Sequence, residues 1–296
     1  MNPTLPAYPD TRPLTLADRP WLTGLCRARQ PVIAEFSFAN LFLFRRIHQY
    51  RLTSVADAPV LLGTGYDGAH YFLPPLAGKR SAAARQLLAA GLTLFGADDR
   101  FLAELAPAAD WQVEADRDNF DYLYRRSDLA DLPGKAFHKK KNRINYFTAR
   151  HQFTVEVFGP QHRDGALALL AEWQRVHAAE ESRSLAAEIE ATKEGIELAG
   201  ELGLQGVTIM VAGQVAAFAM GEQLSDDTFV CHFEKAAPFS EGLAQLVNRE
   251  FCRSLPPECA YVNREQDLGI GGLREAKTSY HPVELVRKYR VSRLLN

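Results

Sequence analysis

From Phe153 to Val291 the chain alternates period-2 apolar runs with amphipathic helical stretches, and few folds accept that alternation. Phe153–Phe158 alternates as a strand does. Asp164–His177 places Leu167, Leu170, Trp173 and Val176 on one helical face, and Leu185–Leu202 predicts a second helix. Val207, Ile209 and Val211 alternate, as do Val215, Ala217 and Ala219, across a turn at Gly213–Gln214 that predicts a hairpin. Thr228–Phe233 predicts a further strand. Ser240–Leu255 then predicts a helix carrying Leu243, Leu246, Val247 and Phe251. A short strand at Tyr261–Asn263, a short helix at Leu273–Tyr280 stopped by Pro282, and a last strand at Val283–Val291 complete the order β-αα-βββ-α-β-α-β.

The first half approximates the same plan. Helices are expected at Thr15–Arg29, Phe36–His48 and Ser81–Phe95. Strands are expected at Tyr50–Ser54, Pro59–Gly63, Ala69–Leu73, Trp111–Ala115 and Phe120–Tyr124, with Phe101–Leu105 as a further short element. The second-half order resembles that of GNAT-type acyltransferases, a mixed sheet with helices on both faces. The expected fold is therefore α/β (α+β), a tandem GNAT-like acyltransferase fold with two mixed sheets flanked by helices. The expected division is 1–130 for an N-terminal domain, 131–150 for a basic connecting helix and 151–296 for a C-terminal domain.

Charge narrows the function classes. Lys+Arg of 34 against Asp+Glu of 36 excludes a protein that coats polyanions over its whole surface. Six Lys/Arg and one His nevertheless fall in Gly134–Arg150, GKAFHKKKNRINYFTAR, with no acid between Asp131 and Glu156. Such local concentration points to an anionic partner, whether phosphate, nucleic-acid backbone or lipid headgroup. On a helix, Phe137, Ile144 and Phe147 form an apolar stripe, and Lys139, Arg143, Tyr146 and Arg150 a separate basic-aromatic ridge. Lys139, Lys140, Lys141 and Arg143 are the expected anion contacts. The apolar runs are too short and too interrupted to span a membrane, and the first residues lack a charged segment followed by an apolar one. A cytoplasmic protein is expected. Cys26, Cys231, Cys252 and Cys259 make no CxxC pair, which predicts buried free thiols and no metal site.

Three further segments carry chemistry. In Thr228–Ala236, period-2 alternation with Phe229, Cys231 and Phe233 in the core puts His232 and Glu234 on the opposite face, where they could act as acid and base. At Phe239–Ala244, FSEGLA, only the G-x-A half of the acyl-CoA pattern Q/R-x-x-G-x-G/A is present. Phe239 replaces the Gln/Arg, and Glu241 adds a negative charge where phosphate would lie. Lastly, Asn263, Glu265 and Asp267 precede a glycine turn, and Lys277 and Tyr280 follow on a helix. This polar density at one sheet end is the expected substrate cleft. No G-x-S-x-G, Walker loop or HExxH occurs. Acyl transfer needs none of them, because an amine or hydroxyl can attack an oriented, activated ester directly.

FSFANLFLF (Phe36–Phe44), DNFDYLY (Asp118–Tyr124), GKAFHKKKNRINYF (Gly134–Phe147), CHFEKA (Cys231–Ala236), NREQDLG (Asn263–Gly269) and GLREAKTSYHP (Gly272–Pro282) resemble the DUF2156 family. Its fold matches the carboxy-terminal domain of phosphatidylglycerol lysyltransferases. Through the relation to those enzymes and to the Fem peptidyltransferases, the resemblance implies transfer of an aminoacyl group from aminoacyl-tRNA to an amine or hydroxyl acceptor, a lipid headgroup or peptide. Expected partners are tRNA and an anionic lipid headgroup at a membrane surface, with no transmembrane segment. No cofactor is expected beyond the donor, aminoacyl-tRNA or acyl-CoA. The multi-helix membrane domain with which lysyltransferases handle and flip their lipid is not expected here. Arg143 also stands where similar sequences often have His, so no acid or base role is expected there. Two alternatives remain: an acyl-CoA-dependent N-acyltransferase, and a non-catalytic protein binding an anionic ligand.

Overall fold

The computed structural model describes residues 3–177 and 182–294. In chain order its first elements are β1 (Arg12–Pro13), α1 (Arg19–Arg27), α2 (Phe38–Leu43), β2 (Arg51–Val55), β3 (Ala58–Thr64), β4 (His70–Phe72), α3 (Arg80–Ala89), β5 (Thr93–Ala97), α4 (Asp99–Leu105) and β6 (Trp111–Ala115). There follow β7 (Asp121–Arg125), α5 (Arg126–Asp131), α6 (His138–Thr148), β8 (Phe153–Val157), α7 (Arg163–Val176), α8 (Arg183–Glu197), α9 (Ala199–Leu202), β9 (Gln205–Val211) and β10 (Gln214–Gln223). The chain continues through β11 (Thr228–Ala236), α10 (Leu243–Ser254), β12 (Tyr261–Asn263), α11 (Gly271–Thr278), β13 (Glu284–Val286) and β14 (Tyr289–Arg293).

Two seven-stranded mixed sheets result, ordered β1–β2–β3–β4–β5–β14–β6 and β13–β7–β12–β11–β10–β9–β8. Each contains a parallel pair, β4 with β5 and β11 with β12. The chain divides into a first unit of residues 3–121, 266–269 and 285–294, and a second of 122–265 and 270–284. This differs from the expected division: residues 122–130 fall in the second unit and 266–269 in the first. The basic segment belongs to the second unit, and the final strand returns to the first, between β5 and β6.

In the first unit Val55, Val60, Phe72, Leu87, Leu94, Phe101 and Val291 pack into one core. Two of its helices start where side chains satisfy the free N–H groups of the first turn. Ser37 Oγ accepts from Asn40 N at 3.3 Å, and Asp98 Oδ1 from Phe101 N at 2.7 Å. The helix expected over Ser81–Phe95 ends earlier, at Ala89, because Gly91 takes a left-handed φ of +86°. Thr93–Ala97 is thereby freed as β5. Buried in the same unit, Lys288 Nζ lies 2.7 and 2.5 Å from the two carboxylate oxygens of Glu35 and 2.7 Å from Asp121 Oδ1. Asp121 Oδ2 also accepts from Ala34 N at 2.8 Å.

In the second unit α10 buries Leu243, Leu246, Val247 and Phe251, the stripe read from sequence, and Phe251 meets the Phe229 ring at 5.8 Å. Helix α6 buries Ile144 and Phe147 and leaves Lys139 and Arg143 exposed. The hairpin joining β9 and β10 turns through Ala212 and Gly213, both at positive φ. All four cysteines are buried free thiols. No helix among the described residues is long and apolar enough to cross a membrane.

Candidate active site

Strand β11 is interrupted by a bulge that the sequence does not announce. Met220 pairs with Phe233 and Gly221 with Cys231, so His232 is the extra residue. The bulge inverts the facing of the strand residues after it. Cys231 shares the α10 side with Phe229, as expected. Past the bulge Glu234 also turns to α10, accepting from Asn248 Nδ2 at 2.9 Å, while Lys235 turns to α7 and α8. His232 and Glu234 are therefore not a side-by-side pair on one face.

His232 instead sits between two carboxylates. Its Nδ1 lies 2.8 Å from Glu265 Oε1 and its Nε2 3.3 Å from Glu222 Oε1. Burial alone would favour the neutral ring, but the hydrogen bonds to Glu222 and Glu265 overrule it and push the pKa up to about 9. At neutral pH His232 is an imidazolium donating from both nitrogens, which removes it as a general base. Its folded-state pKa exceeds the ordinary 6.5, so its contribution to stability is complete below pH 6.5 and is lost as pH rises through 9. Wild-type protein is expected to lose urea midpoint between pH 6.5 and 9 more steeply than His232→Asn, and parallel midpoint curves would refute the caged imidazolium.

The parallel pair opens just before the bulge. β11 and β12 pair from Thr228↔Tyr261 to Val230↔Asn263, and β12 then ends. Two ion pairs bridge the fork, Glu265 to His232 and Arg264 Nη2 to Glu234 at 3.2 Å. Asn263 is fully buried, and its Oδ1 accepts from Glu265 N at 2.7 Å, which helps to hold Glu265 at a φ of +55°. Lys277 Nζ donates to the backbone carbonyls of Arg264 and, at 3.2 Å, of Glu265. Asn263, Glu265 and Lys277, three of the expected cleft residues, are thus engaged in holding the fork. Asp267 is separate from them: it lies in the first unit, buried, paired with Arg117 at 3.1 Å and accepting from Gly269 N at 2.9 Å.

Cations gather beside the fork. Arg264 lies over the rings of Tyr280 (5.0 Å) and Tyr124 (5.8 Å), and Lys140 Nζ lies 4.1 Å from the Tyr280 ring centre. Lys140 also donates to Ser279 Oγ at 2.6 Å. Burial, with Arg143 and Arg264 nearby, lowers the Lys140 pKa. Burial pushes the Tyr280 hydroxyl well up despite Arg264, so it stays protonated at neutral pH. Lys139 and Arg143 are exposed and Lys141 is half-buried. The loop between β11 and α10 leans on this helix: a Cβ built on Gly242 (φ +90°) would stand 1.9 Å from the Arg143 carbonyl oxygen.

The chain matches the profile of the family described as phosphatidylglycerol lysyltransferase, C-terminal, over residues 27–292. It belongs to that family. A conserved protein of unknown function from Bacteroides thetaiotaomicron VPI-5482 is 30% identical, with a TM-score of 0.88 over 98% of this chain and 100% of that one. The carboxy-terminal DUF2156 domain of a protein assigned as a lysylphosphatidylglycerol synthetase from Agrobacterium fabrum shares the fold at 13% identity, with a TM-score of 0.63 over 94% and 92% of the two chains. FemX shares it at 7% identity, with a TM-score of 0.57 over 95% and 96%. No curated protein matches the chain.

This lysyltransferase-family chain has a tandem GNAT-like fold, two mixed sheets flanked by helices. Its sequence reading missed Glu222 and Asn248 and gave Arg264 no role. Glu222 lies on a strand that reads as apolar, and only the bulge brings it to His232. Asn248 falls within the buried face of α10, where one polar residue among Leu246, Val247 and Phe251 was the available signal.

Proposed function

We propose that this chain is an aminoacyltransferase that takes its donor as aminoacyl-tRNA and passes the aminoacyl group to an amine or hydroxyl. The observation that carries the reading is the cation set on and beside α6, with Lys139 and Arg143 exposed and Lys140 and Arg264 behind them, next to a loop unsuited to CoA. That loop holds Glu241 and an outward Phe239 where a CoA pyrophosphate would need backbone N–H groups and positive charge. Family membership supports transferase chemistry of this kind.

In the proposed reaction the acceptor nitrogen or oxygen attacks the ester carbon. A new C–N or C–O bond forms, the bond to the ribose oxygen breaks, and the acceptor's proton ends on that ribose hydroxyl. His232 has no part in moving that proton. The Glu222–His232–Glu265 and Glu234–Arg264 pairs keep the fork rigid, and Lys139, Lys140, Lys141 and Arg143 hold phosphates of the donor or of a lipid headgroup. Orientation and cationic stabilisation supply the rate.

Filter binding of charged tRNA against uncharged tRNA and CoA, followed by release of labelled amino acid to phosphatidylglycerol vesicles or a peptide amine, tests the reading. Lys139→Ala with Arg143→Ala is expected to weaken tRNA binding and reduce its log–log salt slope by about 1.5. An unchanged slope would remove these cations from the site, and a wild type that ignores charged tRNA would remove the reading. A second reading, a non-catalytic binder of an anionic ligand, is favoured by the mutual pairing of the fork residues. It predicts binding without release of the amino acid.

A further inference from the structure

We propose that the outer face of α6 and the Phe239 loop bind single-stranded RNA, taking the unpaired 3′ end of the donor by stacking its bases on Phe239 and Tyr146. This rests on the aminoacyl-tRNA reading and names the part of the donor that the surface would take.

Phe239 is 93% exposed and holds a φ of +63°. A bulky side chain is rare in that backbone region, and this one gains no burial in return. The loop is nevertheless pinned. Ala237 N donates to Ala216 O at 2.8 Å, Leu243 N donates to Ser240 O at 3.1 Å, and Gly242 presses on the Arg143 carbonyl. The ring is exposed, on a loop whose Gly242 packs against α6 at Arg143 and Phe147. On α6 itself Tyr146 is 44% exposed, with the Arg150 guanidinium 3.7 Å from its ring centre, and Lys139 and Arg143 precede it on the same ridge.

Aromatic faces set among cations suit unpaired nucleotides, whose bases stack while their phosphates follow the positive groups. Glu241 repels phosphate from the loop, so the backbone would track Lys139 and Arg143 and leave the bases to Phe239. A lipid bilayer fits less well. An interfacial helix turns a continuous apolar face outward, whereas α6 buries its apolar residues Ile144 and Phe147.

Fluorescence anisotropy with a single-stranded RNA hexamer ending in CCA, and with tRNA intact or trimmed of its CCA, tests this on the full chain. Phe239→Ala and Tyr146→Ala are each expected to weaken binding of the hexamer and of intact tRNA about tenfold. Phe239→Trp is expected to restore it, and trimmed tRNA to bind wild type and Phe239→Ala equally. Three results would overturn the proposal: no hexamer binding by wild type, equal hexamer binding by Phe239→Ala, or a Phe239→Ala defect confined to phosphatidylglycerol vesicles. Release of amino acid from charged tRNA judges the transferase reading separately. A wild type that releases it while Phe239→Ala binds normally loses only the stacking surface, and one that stacks the hexamer but never releases loses only the transferase reading.

Discussion

Lys288→Met is expected to destabilise the protein by about 3–5 kcal/mol, the usual effect of removing one partner from a buried ion pair. Lys288 and Asp121 are both fully buried, and Glu35 is nearly so. Methionine fills similar volume but removes the ammonium, leaving two carboxylates facing each other without water. Burial already drives the Glu35 carboxyl up to about 7 in the presence of Lys288. Glu35→Gln keeps a hydrogen-bonding partner of the same shape and is expected to lose only about 1 kcal/mol. Urea denaturation of both variants at pH 7, followed by tryptophan fluorescence, checks the contrast. A Lys288→Met variant as stable as Glu35→Gln would show that the ammonium does not hold these two acids.

Gly221→Ala is expected to cause a loss of about 3 kcal/mol, in the upper range for overpacking. A Cβ at this position would stand 1.8 Å from the Val230 carbonyl oxygen and 3.1 Å from Cys231 Cα, both backbone atoms that no side-chain rotation can move. To admit the methyl, β10 and β11 must part at the bulge that carries His232 between Glu222 and Glu265. Two readouts should therefore move together: the urea midpoint falls, and the pH dependence assigned to His232 flattens. A stable Gly221→Ala protein with its pH dependence intact would mean that the strands can separate there without disturbing the cage.

The elements legible in the sequence were those that local patterning determines. Leu243, Leu246, Val247 and Phe251 have helical spacing and one buried face, and the Val207 and Val215 runs have strand spacing about a glycine turn. The stretch near Gly91 misled, because an Ala/Leu helix and the strand after it share apolar composition and only a left-handed glycine separates them. The candidate site was harder to read. His232, Glu234 and Glu265 stood out by residue type, but partners lie 33 residues apart for His232 with Glu265 and 30 for Arg264 with Glu234. Alternation assigns faces only while a strand stays regular, so one extra residue at His232 reversed the reading for Glu234. Lys139 and Arg143 were correctly placed on an outer ridge because the apolar stripe of α6 dictated which side faced inward.

The return of β14 to a place between β5 and β6 in the first sheet has a consequence for synthesis. A ribosome releases β5 and β6 long before Tyr289–Arg293 exists, and the two strands that β14 will join must wait with unpaired edges. Lys288, which neutralises Glu35 and Asp121, arrives just ahead of that strand. The half translated first is thus completed last, and a nascent chain halted before residue 288 would carry an unfinished amino-terminal half open to chaperones and proteases.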